Sequence, residues 1–292
     1  MAIRLIFGCG YVGARVAKRW LDAGDTVWAV TRSRPTAAGF ADAGLRPIVA
    51  DVSKRETLQQ LPAADTVLFA VGYDRSSEAS IGEVYAGGVR NVLAALPEAT
   101  RRFVYVSTTG VYGDAGGDWV DEATPPAPAR DGGRASLAAE GAVRESPWGD
   151  RSACLRLAGI YGPDRLPYVA KLEAGDPIEA PASGWLNLIH VEDAATAVLA
   201  ASDADPAPGV VCVSDGDPPQ RGDYYAEVAR LLDAPPPTFT VPAADSPRAA
   251  RAASDKRVRN KRLVETLGVS LRYPTHREGL AAIIGRSDLG DA

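Results

Sequence analysis

The feature that most restricts this chain lies near its start: Gly8-Cys9-Gly10-Tyr11-Val12-Gly13, the pattern G-x-G-x-x-G. It follows directly on an apolar run from Ile3 and leads into a stretch of helical period from about Tyr11 to Ala23, after which Gly24-Asp25 precedes a second run at Thr26–Val30. Strand, glycine turn, helix and strand in that order predict a βαβ unit. Each glycine then has a physical reason. The first permits a tight turn, the second lets a diphosphate approach the backbone, and the third lets helix and strand pack closely. The helix N-terminus adds free N–H groups and the positive end of its dipole.

Further short apolar runs occur at Pro47–Ala50, Thr66–Val71, Phe103–Val106, Ala153–Leu157 and Val210–Val213, with helix-like stretches at Ile81–Leu96, Ala135–Glu145 and Ala194–Ala201. Strands buried on both faces read as continuous apolar runs, and parallel neighbours need crossover helices. The expected class is therefore α/β: a Rossmann-type doubly wound parallel sheet with a smaller mixed C-terminal substrate domain. Prolines cluster after about Ile160, which marks turns and short elements. The expected division is 1–160 with about 186–204 as the dinucleotide-binding domain, and 161–185 with 205–292 as the substrate portion.

Composition narrows the function classes. The net charge of -5 implies no basic face for nucleic acid, and the basic cluster Lys256 to Arg262 reads as the solvated side of a helix. Three cysteines at unrelated spacings suggest neither a disulfide framework nor a zinc site, and two histidines leave no histidine-rich metal centre. No metal is expected. The cysteine pattern fits a reducing, cytoplasmic compartment, and the start, Met1 to Phe7, too short for a signal-peptide core or a membrane span, reads as a strand.

The second strand ends Val30-Thr31-Arg32-Ser33-Arg34, with no carboxylate to accept hydrogen bonds from the ribose hydroxyls of NAD. A guanidinium can grip a 2′-phosphate instead, so Arg32, with Thr31, Ser33 or Arg34, favours NADP over NAD. Asp51 is placed to reach the adenine edge or to cap the segment that follows. Ala70, Val71 and Gly72, at the end of the fourth strand, complete the expected cofactor contacts.

Three further motifs accompany the glycine loop: Val106-Ser107-Thr108-Thr109-Gly110-Val111-Tyr112-Gly113, Leu155-Arg156-Leu157-Ala158-Gly159-Ile160-Tyr161-Gly162-Pro163, and Ile189-His190-Val191-Glu192-Asp193-Ala194-Ala195. With these the chain resembles, nearly end to end, the extended short-chain dehydrogenase/reductases, the NAD(P)-dependent epimerase/dehydratase group. The resemblance implies hydride transfer, substrates that are often nucleotide sugars, and a fold that allows a homodimer on its flanking helices. It also implies a Tyr four residues before a Lys, in the pattern Tyr-x-x-x-Lys, with an upstream Ser or Thr. The Tyr moves the proton at the carbinol oxygen, the Lys lowers its pKa and the hydroxyl polarises the same oxygen.

Here the chain departs from the family. Gly132 stands at the Tyr position, Ser136 at the Lys position, and Tyr85 where an Asn is frequent; Thr108 keeps the upstream hydroxyl. Losing a positioned proton-transfer group costs about 10²–10⁴-fold in rate. Candidate substitutes are Tyr112, Tyr161, Tyr73, Asp74 and Arg134, each of which also has a structural reading, with Thr108 and Tyr112 as the catalytic candidates. His190 is expected to cap the following helix, and Cys9 to fill space in the loop. The leading expectation is an NADP-dependent oxidoreductase or epimerase/dehydratase acting on a small polar or nucleotide-sugar-like substrate. The competing one is a non-catalytic NADP(H)-binding sensor or regulatory protein, suggested by the vacant Tyr and Lys positions.

Overall fold

The computed structural model describes residues 1–243, 245–246, 249 and 253–285. Its centre is a seven-stranded parallel sheet built from β1 (Ile3–Phe7), β2 (Thr26–Thr31), β3 (Arg46–Val49), β4 (Thr66–Phe69), β5 (Arg102–Thr108), β7 (Ser152–Leu157) and β11 (Gly209–Val213). The spatial order is β11-β7-β5-β4-β1-β2-β3, so the winding reverses between β1 and β4. Open α/β sheets bind ligands at such a switch point, outside the carboxyl ends of the strands.

Alternation along each strand divides the core. Leu5, Val67 and Phe103 face one side with Phe7, Phe69 and Tyr105, packed by Val89, Val92, Ala139 and Val143. Ile6, Leu68 and Val104 face the other, against Val16, Ala17, Trp20, Ala194 and Val198. The helices that carry those residues are α1 (Gly13–Asp22), α3 (Gly88–Ala95), α4 (Asp131–Arg144) and α6 (Val191–Asp203); α2 (Arg34–Asp42) joins β2 to β3. In α1 the buried stripe Val16, Ala17 and Trp20 has the spacing of one helix face. The sequence had shown no separate helix at α2, where Ser33 accepts the Thr36 N–H and Pro35 sits in the first turn.

Short pairs lie outside this sheet: β6 (Trp119–Val120) with β13 (Arg257–Val258), β8 (Gly159–Tyr161) with β10 (Leu188–His190), and β9 (Ile178–Glu179) with β12 (Phe239–Thr240). A separate apolar cluster joins Tyr161, Leu172, Ile178, Tyr224, Tyr225 and Leu280. It is carried largely by α5 (Val169–Glu173), α7 (Arg221–Leu231) and α8 (His276–Ile284). β11 completes the main sheet by pairing with β7, although its residues fall in the stretch 205–292 expected to belong to the smaller portion.

The basic cluster corrects another expectation. Arg257 and Val258 form a strand beside Trp119 and Val120, and Arg257 lies between the Trp119 and Trp185 rings, 5.0 and 4.9 Å from their centroids. Lys256 is buried, its Nζ donating to the Gly113 carbonyl and to Ser254 Oγ at 2.8 Å each. Burial holds its pKa down to about 8. Alternation between a buried amine and ring-stacked guanidinium replaces the expected solvated helix face. Among the described residues no helix is long and apolar enough to cross a membrane, and no cluster of His, Cys, Asp and Glu could hold a metal ion.

Candidate active site

The glycine loop forms a cradle in which each glycine meets a different constraint. Gly8 has φ +89°, and a Cβ there would lie 2.4 Å from the Ala70 carbonyl oxygen. One on Gly13 would lie 2.3 Å from the Gly8 oxygen, so backbone meets backbone where helix and strand pack. Among the described residues nothing lies close to a Cβ built on Gly10 and no side chain caps α1, whose first turn carries no acidic residue. That combination fits an anion on free N–H groups. The Cys9 thiol, pushed up to about 11 by burial, stays protonated and packs against the core.

The cleft runs to both sides of this cradle. One arm, about 250 Å³, is lined by Thr31, Arg32, Thr36, Asp51, Ser53, Val71, Gly72 and Asp74 among others. Arg32 Nη2 stands 3.4 Å from Asp74 Oδ2, both half-exposed. Asp51 Oδ1 accepts from Ser53 N and Oγ at 2.9 and 2.7 Å, which holds the carboxylate against its own turn while the residue still borders the arm. Ser33 does not line it, because its hydroxyl caps α2.

The other arm, about 580 Å³, holds Gly10, Tyr11 and Val12 at one end and Ala70, Val71, Gly72, Tyr85, Thr108, Gly132 and Ser136 farther along. Arg130 and Arg165 are the charged side chains on its wall. Thr108 Oγ1 accepts the Gly110 N–H at 3.0 Å, leaving its proton for a ligand. Ser136 is buried and hydrogen-bonds the Tyr105 phenol. Tyr11 ties the loop to the segment after β8: its hydroxyl donates to the Pro163 carbonyl at 2.8 Å, and Arg15 and Arg165 stand over its ring, 4.4 and 5.0 Å from the centroid.

The structure brings only part of the sequence-derived catalytic set together. Thr108 faces the cleft. Tyr112 does not: its hydroxyl accepts from Arg156 Nη1 at 2.8 Å and lies 3.0 Å from Cys212 Sγ, and burial raises its pKa strongly. The sequence could not show this, because Arg156 and Cys212 reach Tyr112 from two other strands. Tyr161 is buried against Gly279, Arg134 bonds the Ala129 carbonyl and Asp131 in the first turn of α4, and Asp74 lies in the arm of Arg32. His190 caps α6 by accepting the Glu192 N–H at 3.2 Å. Asp193, the next residue but two, accepts from the Arg272 and Tyr273 N–H groups at 2.8 and 2.9 Å and so fastens the C-terminal segment to α6.

Reasoning from sequence overlooked Arg130, Arg165 and the position of Tyr85. The four-residue spacing of Ile81 and Tyr85 places them on one helix face, but not which face meets the cleft.

The glycine cradle, the open helix end and a cleft across the switch point define a dinucleotide-binding α/β protein. The chain belongs to the NAD dependent epimerase/dehydratase family, whose model matches residues 5–213. It is 29% identical over 278 residues to Protein YeeZ of Escherichia coli K12, covering 92% of this chain and 95% of that one. It is 28% identical over 226 residues to the 4-hydroxy-2-methyl-3-oxo-4-farnesyl-3,4-dihydroquinoline-1-oxide ketoreductase of Stigmatella aurantiaca, with 72% and 67% of the two chains covered. A functionally unknown conserved protein of Silicibacter pomeroyi superposes with a TM-score of 0.79 at 29% identity over 99% of each chain.

The residues present fit the family's cofactor. Gly8 to Gly13 would hold the diphosphate, Thr31, Arg32 and Asp51 the adenosine end, and Ala70, Val71 and Gly72 the floor between the arms. When bound, a nicotinamide dinucleotide supplies hydride exchange with a substrate carbon.

Proposed function

We propose that the protein is an NADP-dependent oxidoreductase, or an epimerase or dehydratase, acting on a small polar or nucleotide-sugar-like substrate without the usual Tyr-x-x-x-Lys pair. One observation carries this reading: the glycine loop and the Thr108 hydroxyl border a single arm of the cleft. A substrate oxygen beside Thr108 then lies on the path of the dinucleotide. The preference for NADP rests on Arg32, which borders the adenosine arm where the second strand supplies no carboxylate. Arg165, from the stretch 161–185, reaches the same arm as Thr108, which supports that stretch as part of the substrate side. A cytoplasmic setting, and a homodimer on the flanking helices, belong to the same proposal.

A non-catalytic NADP(H) sensor is the second reading, favoured by Gly132 and Ser136 at the positions of the family's Tyr and Lys. Loss of NADPH absorbance across a panel of carbonyl compounds and nucleotide sugars, with parallel NADPH and NADH titrations, separates the two. Consumption of NADPH establishes the enzyme. Tight binding without consumption establishes the sensor, and absence of binding overturns both.

A further inference from the structure

Tyr85 occupies the middle of a π-helical turn, Glu83–Gly87, that leads into α3 and packs on α4. Such turns insert a residue into a helix and shift which side chains face a neighbour, frequently at functional sites. Tyr85 borders the arm of the cleft that Thr108 borders. Its oxygen accepts the Tyr73 N–H at 3.3 Å, and among the described residues it donates to no acceptor. The phenolic proton is thus unspent among those residues. The Thr108 hydroxyl is arranged alike, accepting a backbone N–H and keeping its own proton for the cleft.

The position of the family's Tyr supplies no donor to this arm. Gly132 projects no side chain, and a Cβ built there would meet only the Ile81 Cδ1 at 3.6 Å. Ile81 and Tyr85 are four residues apart on the segment that fills this side of the arm.

We propose that Tyr85 is the proton donor of this cleft, acting with Thr108 on the carbonyl oxygen of a ketone or aldehyde. The assignment rests on the oxidoreductase reading above. In the reductive direction a hydride from the reduced nicotinamide dinucleotide forms the new C–H bond. The carbonyl π pair moves to oxygen, and that oxygen takes the Tyr85 proton. The phenolate left behind regains a proton from water. It stays hydrogen-bonded by the Tyr73 N–H, a bond that strengthens as charge develops on the phenolic oxygen. A backbone donor thereby meets in part the need that a lysine meets elsewhere in the family. Burial raises the pKa of Tyr85, with the Tyr73 N–H opposing it, so the proton is in place at neutral pH.

The test compares the parent with Tyr85→Phe, which keeps the ring and removes the hydroxyl. NADPH consumption is followed with phenanthrenequinone and a series of aromatic and aliphatic ketones. In the same samples NADPH affinity is measured by fluorescence titration, and quinone affinity in the presence of NADP⁺, where no turnover occurs. The expected result is a fall in kcat of about 10²–10⁴-fold, unchanged NADPH affinity, and quinone binding weakened about 3–10-fold by loss of one hydrogen bond. Equal turnover in parent and variant would overturn the role of Tyr85 and leave the oxidoreductase reading standing. A loss of NADPH affinity as large as the loss of rate would overturn it by making Tyr85 a cofactor contact. A parent that binds NADPH and reduces nothing would overturn both.

Discussion

Arg156 and Glu140 face each other in the interior, Nη2 to Oε2 2.7 Å, with both side chains nearly inaccessible to water. Arg156 Nε also reaches Glu140 Oε1 at 3.0 Å, so the pair is bidentate, and Ser107 Oγ donates to the same Oε1 at 2.5 Å. The ion pair thus sits directly behind Ser107 and Thr108, the strand end that borders the cleft. Removing one partner strands the other without a counter-charge. Glu140→Ala should lower stability by about 3–5 kcal/mol, read by denaturant unfolding; a loss within experimental error would show that the network is dispensable.

Tyr112 hangs on the same guanidinium. Tyr112→Phe deletes a hydrogen bond between a buried phenol and a charged group, so stability should fall by about 1.5–3 kcal/mol. NADPH affinity and any turnover should not change, because the hydroxyl lies outside the cleft. Thermal unfolding run beside a kinetic assay checks it. Unchanged stability with a collapse in turnover would return Tyr112 to the active site.

Arg32→Asp should weaken NADPH about 10–100-fold, the worth of one charge-assisted hydrogen bond to phosphate, and leave NADH nearly unchanged. The new carboxylate would stand beside Asp74, already 3.4 Å from the guanidinium it replaces. Fluorescence titration with both cofactors decides; equal affinities in parent and variant would remove the 2′-phosphate assignment.

The parallel sheet was legible because its central strands are buried on both faces, so runs such as Thr66–Phe69 and Ser152–Leu157 carry their own signal. Helix α2 was not, since a short helix whose buried face is Ala37 alone shows no stripe. At the site, the glycine loop and Thr108 were readable from local order. Where Tyr112, Lys256 and Tyr85 point was not. Each is decided by partners more than ten residues away: Arg156 for the first, Gly113 for the second and Tyr73 for the third. Such partners leave no period in the sequence.

The cradle gives a sharper test of the cofactor site than any charge. In Gly13→Val, Cβ falls 2.3 Å from the Gly8 oxygen. Either the loop moves off α1 or the helix moves off the sheet, and both destroy the array of N–H groups that would face a diphosphate. Binding of NADPH and NADH should be lost together. A variant that folds with an undiminished titration curve would take the dinucleotide away from this loop.

Asp215, just beyond β11, offers a test that reads pH. Its carboxyl is buried, and among the described residues Oδ2 has no hydrogen-bond partner. Burial therefore raises its pKa well above the usual carboxylate value, with the Asp217 N–H opposing it and the nearby Asp217 and Asp193 carboxylates adding to it. The folded protein keeps this proton at pH values where the unfolded chain has released it. Its contribution to stability is full below the ordinary carboxylate pKa and is lost as pH rises from there toward the raised value. Asp215→Asn keeps an oxygen for the Asp217 N–H at every pH and carries no charge. Near pH 4 the variant should match the parent. Near pH 8 it should be more stable by about 1–3 kcal/mol, a gain of several degrees in Tm. Thermal unfolding of both proteins across that range checks the slope, and parallel curves for the two would mean that Asp215 is not the group whose titration destabilises the fold.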